Sequence, residues 1–362
     1  MLFKVFKENT VTSIDGLRED VLRVGHEPCG YFDERTVHGL LTGRPMEYYG
    51  FVLNSIRDIA LGRVSLELPP KQVFADPGSS SDFRVMPCVL RGPSGARKTV
   101  KLVGTNTRQK TVADQITVGK AFAIDPEENF VSHIFEACLL SSARTGICSA
   151  IAIGLLSKRR SRVVVIGAGR VGYYAAFYAA ALGGVDEVLV ADIDRARAGR
   201  TVELLARDVP GVSFSEESVS SLGPADVVIL ATTSASPVCS PPGHGADLVV
   251  SLGADTDFQS ELDPAWASVS DIFVDTMDSA RFGDLGAWLK AGLISEDRLV
   301  DLFGAIRTIS NGAEMTGRQK VFVSTGSALF DNLTIGYLLE RKSAPAGHVE
   351  IMTESLRRSL RT

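Results

Sequence analysis

The chain reads as an α/β protein built on two sheets, and three observations in its 362 residues carry that reading. From residue 162 onward, short continuous apolar runs alternate with helical stretches, the pattern of a parallel sheet covered on both faces. One strand–helix junction is Gly167-Ala168-Gly169-Arg170-Val171-Gly172, a Gly-x-Gly-x-x-Gly turn. Before residue 130, apolar runs are instead separated by glycine and serine turns, which predicts hairpins in an antiparallel or mixed sheet. A chain of this length is comfortable as two domains.

In order, helices are expected over 12–26 and 33–62; in the second, Val52, Ile56 and Ile59 recur at helical spacing. Pro69-Pro70 ends that pattern. Strands follow at Lys71–Phe74, Phe83–Leu90, Thr99–Val103 and Phe122–Ile124, with turns at 77–81 and 92–95. A strand over Phe130–Phe135 leads into a helix from Glu136 to Ser157. The second half predicts strands at 162–166, 188–192, 212–214, 227–230, 248–252, 272–275 and 321–323, with helices to Leu182 and over 194–208 and 328–340. The tail beyond Arg341 is expected to be only partly ordered.

Composition narrows the function classes. Hydrophobic residues are 45% and charged residues 22%, ordinary for a soluble globular protein. A net charge of -5, with no basic block beyond Lys158-Arg159-Arg160, argues against a nucleic-acid partner. No signal peptide is expected, and the apolar stretches near 147–156 and 173–183 read as buried helices rather than membrane spans. Five cysteines without a CxxC pair fit reduced thiols in the cytoplasm. The five histidines lack HxH or HExxH spacing, so no metal site is expected.

The glycine turn points to a dinucleotide. Gly167 permits the tight turn, Gly169 admits a pyrophosphate, and Gly172 lets helix and strand pack closely. With Arg170 and Val171 it forms a helix N-terminus whose free N–H groups suit phosphate. Asp192 ends the next strand, where a carboxylate accepts ribose hydroxyls and repels a 2′-phosphate, so NAD is expected over NADP. Thr232, Thr233, Ser251 and Gly253 lie at strand C-terminal ends, where a cofactor rests; ordinary connecting turns are the alternative.

Charged residues inside apolar stretches are the catalytic candidates. Arg144 is costly to bury without an anion, so it holds a substrate carboxylate or cofactor phosphate, or forms a structural ion pair. Lys101 points inward to polarise a carbonyl or imine, or faces water from an edge strand. Asp255, just past a strand end, is placed for acid–base work or for capping a turn.

Together these segments resemble the ornithine cyclodeaminase/mu-crystallin family. The resemblance rests on Arg84-Val85-Met86-Pro87, Lys101-Leu102-Val103, Ser142-Ala143-Arg144-Thr145-Gly146, Gly167–Gly172, Gly253-Ala254-Asp255 through Glu261-Leu262-Asp263, and Val323–Ala328. It implies a Rossmann NAD-binding domain (144–320) inserted into a discontinuous α+β substrate-binding and dimerisation domain (1–143 and 321–362), and hence a homodimer. It also implies that Lys101 is the active-site lysine and Asp255 the catalytic aspartate. Arg144 would grip the substrate carboxylate, Thr145 would contact a cofactor phosphate, and Ser327 would lie near the nicotinamide.

Three departures shape the expected substrate. Lys71 stands where the family has a carboxylate-gripping arginine, which keeps the charge and loses the fork. Arg84 stands where the cyclodeaminases carry a glutamate suited to a distal amine, and Gln259 where they carry a lysine. Lys71, Arg84, Lys101 and Arg144 together suit a substrate with more than one carboxylate. The expectation is therefore an NAD-dependent oxidoreductase acting through an imine on the C–N bond of an amino, imino or N-substituted amino acid. The segment 136–145 is also similar to the siderophore-precursor dehydrogenase branch of the family. The alternatives are an ammonia-releasing cyclodeaminase, a ketimine reductase, or a mu-crystallin-like NAD(P)H-binding protein.

Overall fold

The computed structural model describes residues 21–23, 25–75, 81–313 and 317–343. Most of the helix expected over 12–26, the turn at 77–81 apart from Ser81, and the tail beyond 343 lie outside the described residues.

Among the described residues the first sheet has seven strands: β1 (Gly30–Phe32), β2 (Ser65–Glu67), β3 (Gln72–Ala75), β4 (Asp82–Gly92), β5 (Gly95–Thr105), β6 (Thr117–Ile124) and β7 (Val131–Glu136). β4 to β7 form an antiparallel meander, while β1 runs parallel to β7, so the sheet is mixed. Side chains alternate between faces along each strand. In β4 the buried set is Arg84, Met86, Cys88 and Leu90; in β5 it is Thr99, Lys101 and Val103. Pairing places Lys101 beside Met86 and Ala121, and Arg84 beside Val103, all on one face. Lys101 therefore points inward. Lys98 faces outward and donates to the Pro126 carbonyl and Asn129.

The single helix expected over 33–62 is two: α1 (Glu34–Thr42) and α2 (Pro45–Ala60). The break lies at Gly43-Arg44, because Pro45 has no N–H for an ongoing helix and suits a first turn. Asp33 caps α1 by accepting from the Thr36 N–H at 2.7 Å. The helix α3 (Ala137–Leu156) is long and apolar enough to cross a membrane, yet it is buried within the fold over almost its whole length. Its Gly146 allows contact with α4 (Arg170–Ala181): a Cβ there would lie 2.6 Å from the Tyr174 backbone.

Among the described residues the second sheet has eight strands, all paired in parallel: β8 (Arg162–Ile166), β9 (Glu187–Ala191), β10 (Ser213–Glu217), β11 (Val227–Leu230), β12 (Leu248–Ser251), β13 (Asp271–Val274), β14 (Leu299–Asp301) and β15 (Lys320–Val323). Their order is β10-β9-β8-β11-β12-β15-β13-β14. Besides α4, its helices are α5 (Arg195–Asp208), α6 (Trp266–Val269), α7 (Gly283–Lys290) and α8 (Leu302–Ser310). The fold class is the expected α/β one, a parallel sheet beside a mixed sheet. One boundary needs correction. The division expected at residue 321 falls inside β15, which pairs with β12 and β13, so the chain leaves this sheet only after Val323. It then returns through residues 324–327 to α9 (Ala328–Ser343), which packs on β4, β5 and α3.

Candidate active site

The glycine turn joins β8 to α4. Gly167 has φ +108°, a left-handed conformation that favours glycine. A Cβ on Gly172 would lie 1.8 Å from the Gly167 carbonyl oxygen, so this position tolerates no side chain. A Cβ on Gly169 would meet nothing within 4 Å, which leaves the backbone open to a ligand at the N-terminus of α4. Arg170 and Val171 begin the helix, and Arg170 donates to the Asp114 carbonyl at 2.8 Å. Asp192 follows β9, and its carboxylate accepts from the Ala168 and Asp194 N–H groups, each at 2.8 Å. The nearby arginines are engaged by carboxylates: Arg195 with Glu216, and Arg197 with Asp192 and Asp194. Ile193, beside Asp192, is 97% exposed.

The charged candidates converge where the inner face of the first sheet meets the 324–327 turn. Lys101 is 1% exposed, and its Nζ donates to Asp331 Oδ1 at 2.8 Å. Arg144, from α3, donates through Nε to the same oxygen at 3.0 Å. The end of its guanidinium lies against Gly326, where a Cβ would be 2.7 Å from Nη2. Lys71 reaches the same turn, donates to the Thr325 carbonyl at 2.8 Å and stands over the Phe282 ring. Arg84 grips Asp82 through Nε and Nη2, and its Nη1 donates to Asp255 at 2.6 Å. Burial pushes the Lys101 ammonium down to about 7, reinforced by the Arg144 charge and opposed by Asp331. Burial also brings Lys71 down to about 8.

Several expected cofactor residues are held by one buried carboxylate. Glu261 accepts from the Thr232 N–H and hydroxyl, the Ser251 hydroxyl, and the Leu252 and Gly253 N–H groups. It thereby ties together the loops after β11 and β12. Thr233, next in the loop after β11, is exposed. Thr145 donates its hydroxyl back to the Ser141 carbonyl within α3, and Ser327 accepts from the Leu329 N–H. Gln259 accepts from Asp255 N and the Thr256 hydroxyl, so it shapes the Asp255 loop. Sequence reasoning missed Asp331 and Asp82, and treated Glu261 only as part of a motif. The available signal for Asp331 was an aspartate directly after the apolar run Ala328-Leu329-Phe330.

A mixed sheet carrying an inward lysine, joined to a parallel nucleotide-type sheet, defines a two-sheet small-molecule enzyme fold. The chain belongs to the ornithine cyclodeaminase/mu-crystallin family, whose model matches residues 42–344. It is 29% identical over 230 residues to the iminosuccinate reductase of Paracoccus denitrificans (strain Pd 1222), covering 62% of this chain and 70% of that protein. The crystal structure of the Paracoccus denitrificans iminosuccinate reductase with NAD+ has a TM-score of 0.71 at 22% identity, covering 86% of this chain and 95% of that one. The Thermococcus litoralis Δ1-pyrroline-2-carboxylate reductase with NADH and L-proline has a TM-score of 0.75 at 19% identity, covering 86% and 96%. An archaeal alanine dehydrogenase dimer with bound NAD gives 0.74 at 22%, covering 88% and 98%.

Proposed function

We propose that this protein is an NAD(H)-dependent oxidoreductase of the C–N bond, acting on an α-amino or α-imino acid that carries a second carboxylate. The observation that carries the reading is Arg84. It lies on the inner face of the first sheet with Nη1 on Asp255, so a second fixed cation faces the expected catalytic aspartate. A glutamate there would favour a distal amine; a guanidinium favours a distal carboxylate. Similarity to an iminosuccinate reductase agrees, since iminosuccinate has two carboxylates.

The glycine turn, the N-terminus of α4 and Asp192 fit a dinucleotide, with Ile193 offering an apolar surface beside it. Asp192 carries negative charge where NADP would bring its 2′-phosphate, which favours NAD. When bound, this group supplies hydride exchange with a substrate carbon. The chain's own residues do the rest. Arg144 offers its fork to the reacting carboxylate, with Lys71 adding charge across the Thr325-Gly326 turn. Arg84 receives the distal carboxylate. Lys101 holds the proton exchanged with the substrate nitrogen, and Asp255 activates water at the imine carbon in the hydrolytic direction.

In this reading the first sheet, the segment before β3 and α3 carry the groups that hold the substrate, Asp255 reaches them from the loop after β12, and the parallel sheet carries the nucleotide. Phe74 and Phe83 stack at 4.7 Å on the outer face of the first sheet, near exposed Leu102, and this surface is assigned to a second copy of the chain. A mass measurement in solution tests that assignment: a dimer supports it and a monomer overturns it. The five free cysteines agree with a cytoplasmic setting.

The function is tested by following nicotinamide absorbance with 2-oxo acids plus ammonia, and with amino acids plus NAD+, alongside product mass. Net NADH consumption giving an amino diacid is expected. Ammonia release and a cyclic imino acid from ornithine, with no net NADH, would contradict the reading.

A further inference from the structure

Asp331 lies in the first turn of α9, 1% exposed, with two cations on a single oxygen. Its other oxygen, Oδ2, is buried and has no hydrogen-bond partner among the described residues. Arg144 uses only Nε on this carboxylate; among the described residues its two terminal nitrogens donate to no protein group. The bond through Nε therefore sets the rotation of the guanidinium and leaves its fork available.

We propose that Asp331 is the positioning residue of the site: it aims the Arg144 fork at the substrate carboxylate and keeps Lys101 able to carry a proton. The groups facing Lys101 make the case. Arg144 from α3 and Lys71 from the segment before β3 both oppose a charge on Lys101; Met86 on β4 and Ala121 on β6 are neutral neighbours. Cys88 on β4 lies within electrostatic range of Asp331, and burial raises its thiol to about 12, so it is uncharged. Asp331 alone among these groups stabilises the ammonium directly, through the 2.8 Å bond. Without its charge, burial and Arg144 hold Lys101 neutral through the neutral pH range.

The substrate-independent test is an NMR titration of [ε-13C]lysine in the full chain with NAD added, with the Lys101 resonance assigned through K101M. The wild-type midpoint is expected near 7, where burial and its neighbours place this lysine. In D331N it is expected to fall by at least about one pH unit. With the substrate found by the absorbance panel, the basic limb of kcat/KM should move down with it, and KM should rise about tenfold or more as the Arg144 fork is released. A D331N midpoint equal to wild type would overturn the proposal. Should D331N not fold, D331E carries the test: it keeps the charge, so the midpoint stays within about half a unit while KM rises. A D331E midpoint that drops by a unit or more, or a wild-type KM, overturns it. The substrate assay rests on the proposed function, but the titration does not, so failure of one is distinguishable from failure of the other.

Discussion

Arg84 and Asp255, 171 residues apart in sequence, meet at 2.6 Å where the first sheet faces the loop after β12. The pair links a residue fixed by strand register to one carried on a loop. Asp82 grips the other side of Arg84, so the guanidinium is anchored while the Asp255 side chain remains 36% exposed. Under the proposed function, a distal substrate carboxylate arriving at Arg84 would compete with Asp255 and free it for water.

Replacing Arg84 with Met should therefore act on specificity. A charged hydrogen bond contributes about 1.5–3 kcal/mol, so kcat/KM for a dicarboxylic substrate should fall about 10- to 100-fold. Activity on a monocarboxylic analogue such as pyruvate with ammonia should hold or rise. Steady-state kinetics on both substrates checks the direction, and an equal loss on both would remove Arg84 from substrate selection.

Asp255→Asn should leave NADH binding unchanged, because its side chain bonds Arg84 rather than a group of the glycine turn, and should lower turnover by about 10²- to 10⁴-fold, the usual range for a lost acid–base group. Nicotinamide fluorescence and single-turnover rates separate the two effects. Unchanged turnover would end the role given to Asp255.

Asp192→Ser should weaken NAD binding about tenfold and improve NADP binding, since a charged hydrogen-bond acceptor is lost and a repulsive charge removed. Titration with each nucleotide measures this. A variant with the wild-type preference would show that Asp192 serves only its bonds to the Ala168 and Asp194 N–H groups.

The lysines also predict how stability varies with pH. Lys101 and Lys71 fall from 10.5 in the ordinary state to about 7 and about 8 in the fold. Between those values and 10.5 the unfolded chain binds more protons than the native one, so stability rises with pH across that window. The penalty from Lys101 is full below about 7 and disappears above 10.5. The urea midpoint should thus climb more steeply between pH 7 and 9 in the wild type than in K101M. Parallel slopes would contradict the burial of a titrating Lys101.

Much of this site was legible before any coordinates. Period-2 alternation left Lys101 open between an inward and a water-facing reading; the structure turns it inward and sends Lys98 to solvent-side partners. The glycine turn was legible because each of its positions answers to a local steric demand, which sequence records directly. What stayed hidden depended on tertiary pairing. Nothing local announces that Asp331 meets Lys101 across 230 residues, or that Glu261 gathers donors from two separate loops. The strand β14 and the helix α8 were missed because short elements give too few periods to read. The placement of β15 inside the parallel sheet was missed because an apolar four-residue strand looks the same in either domain.

The most direct test of a dicarboxylate-selective imine reduction compares NADH oxidation by the full chain with oxaloacetate plus ammonia, which form iminosuccinate, against pyruvate plus ammonia under identical conditions. Conversion to aspartate is expected with a kcat/KM at least about tenfold above that for pyruvate, and with loss of that advantage in R84M. Equal or greater efficiency on pyruvate, or no NADH oxidation alongside ammonia release from ornithine, would contradict it.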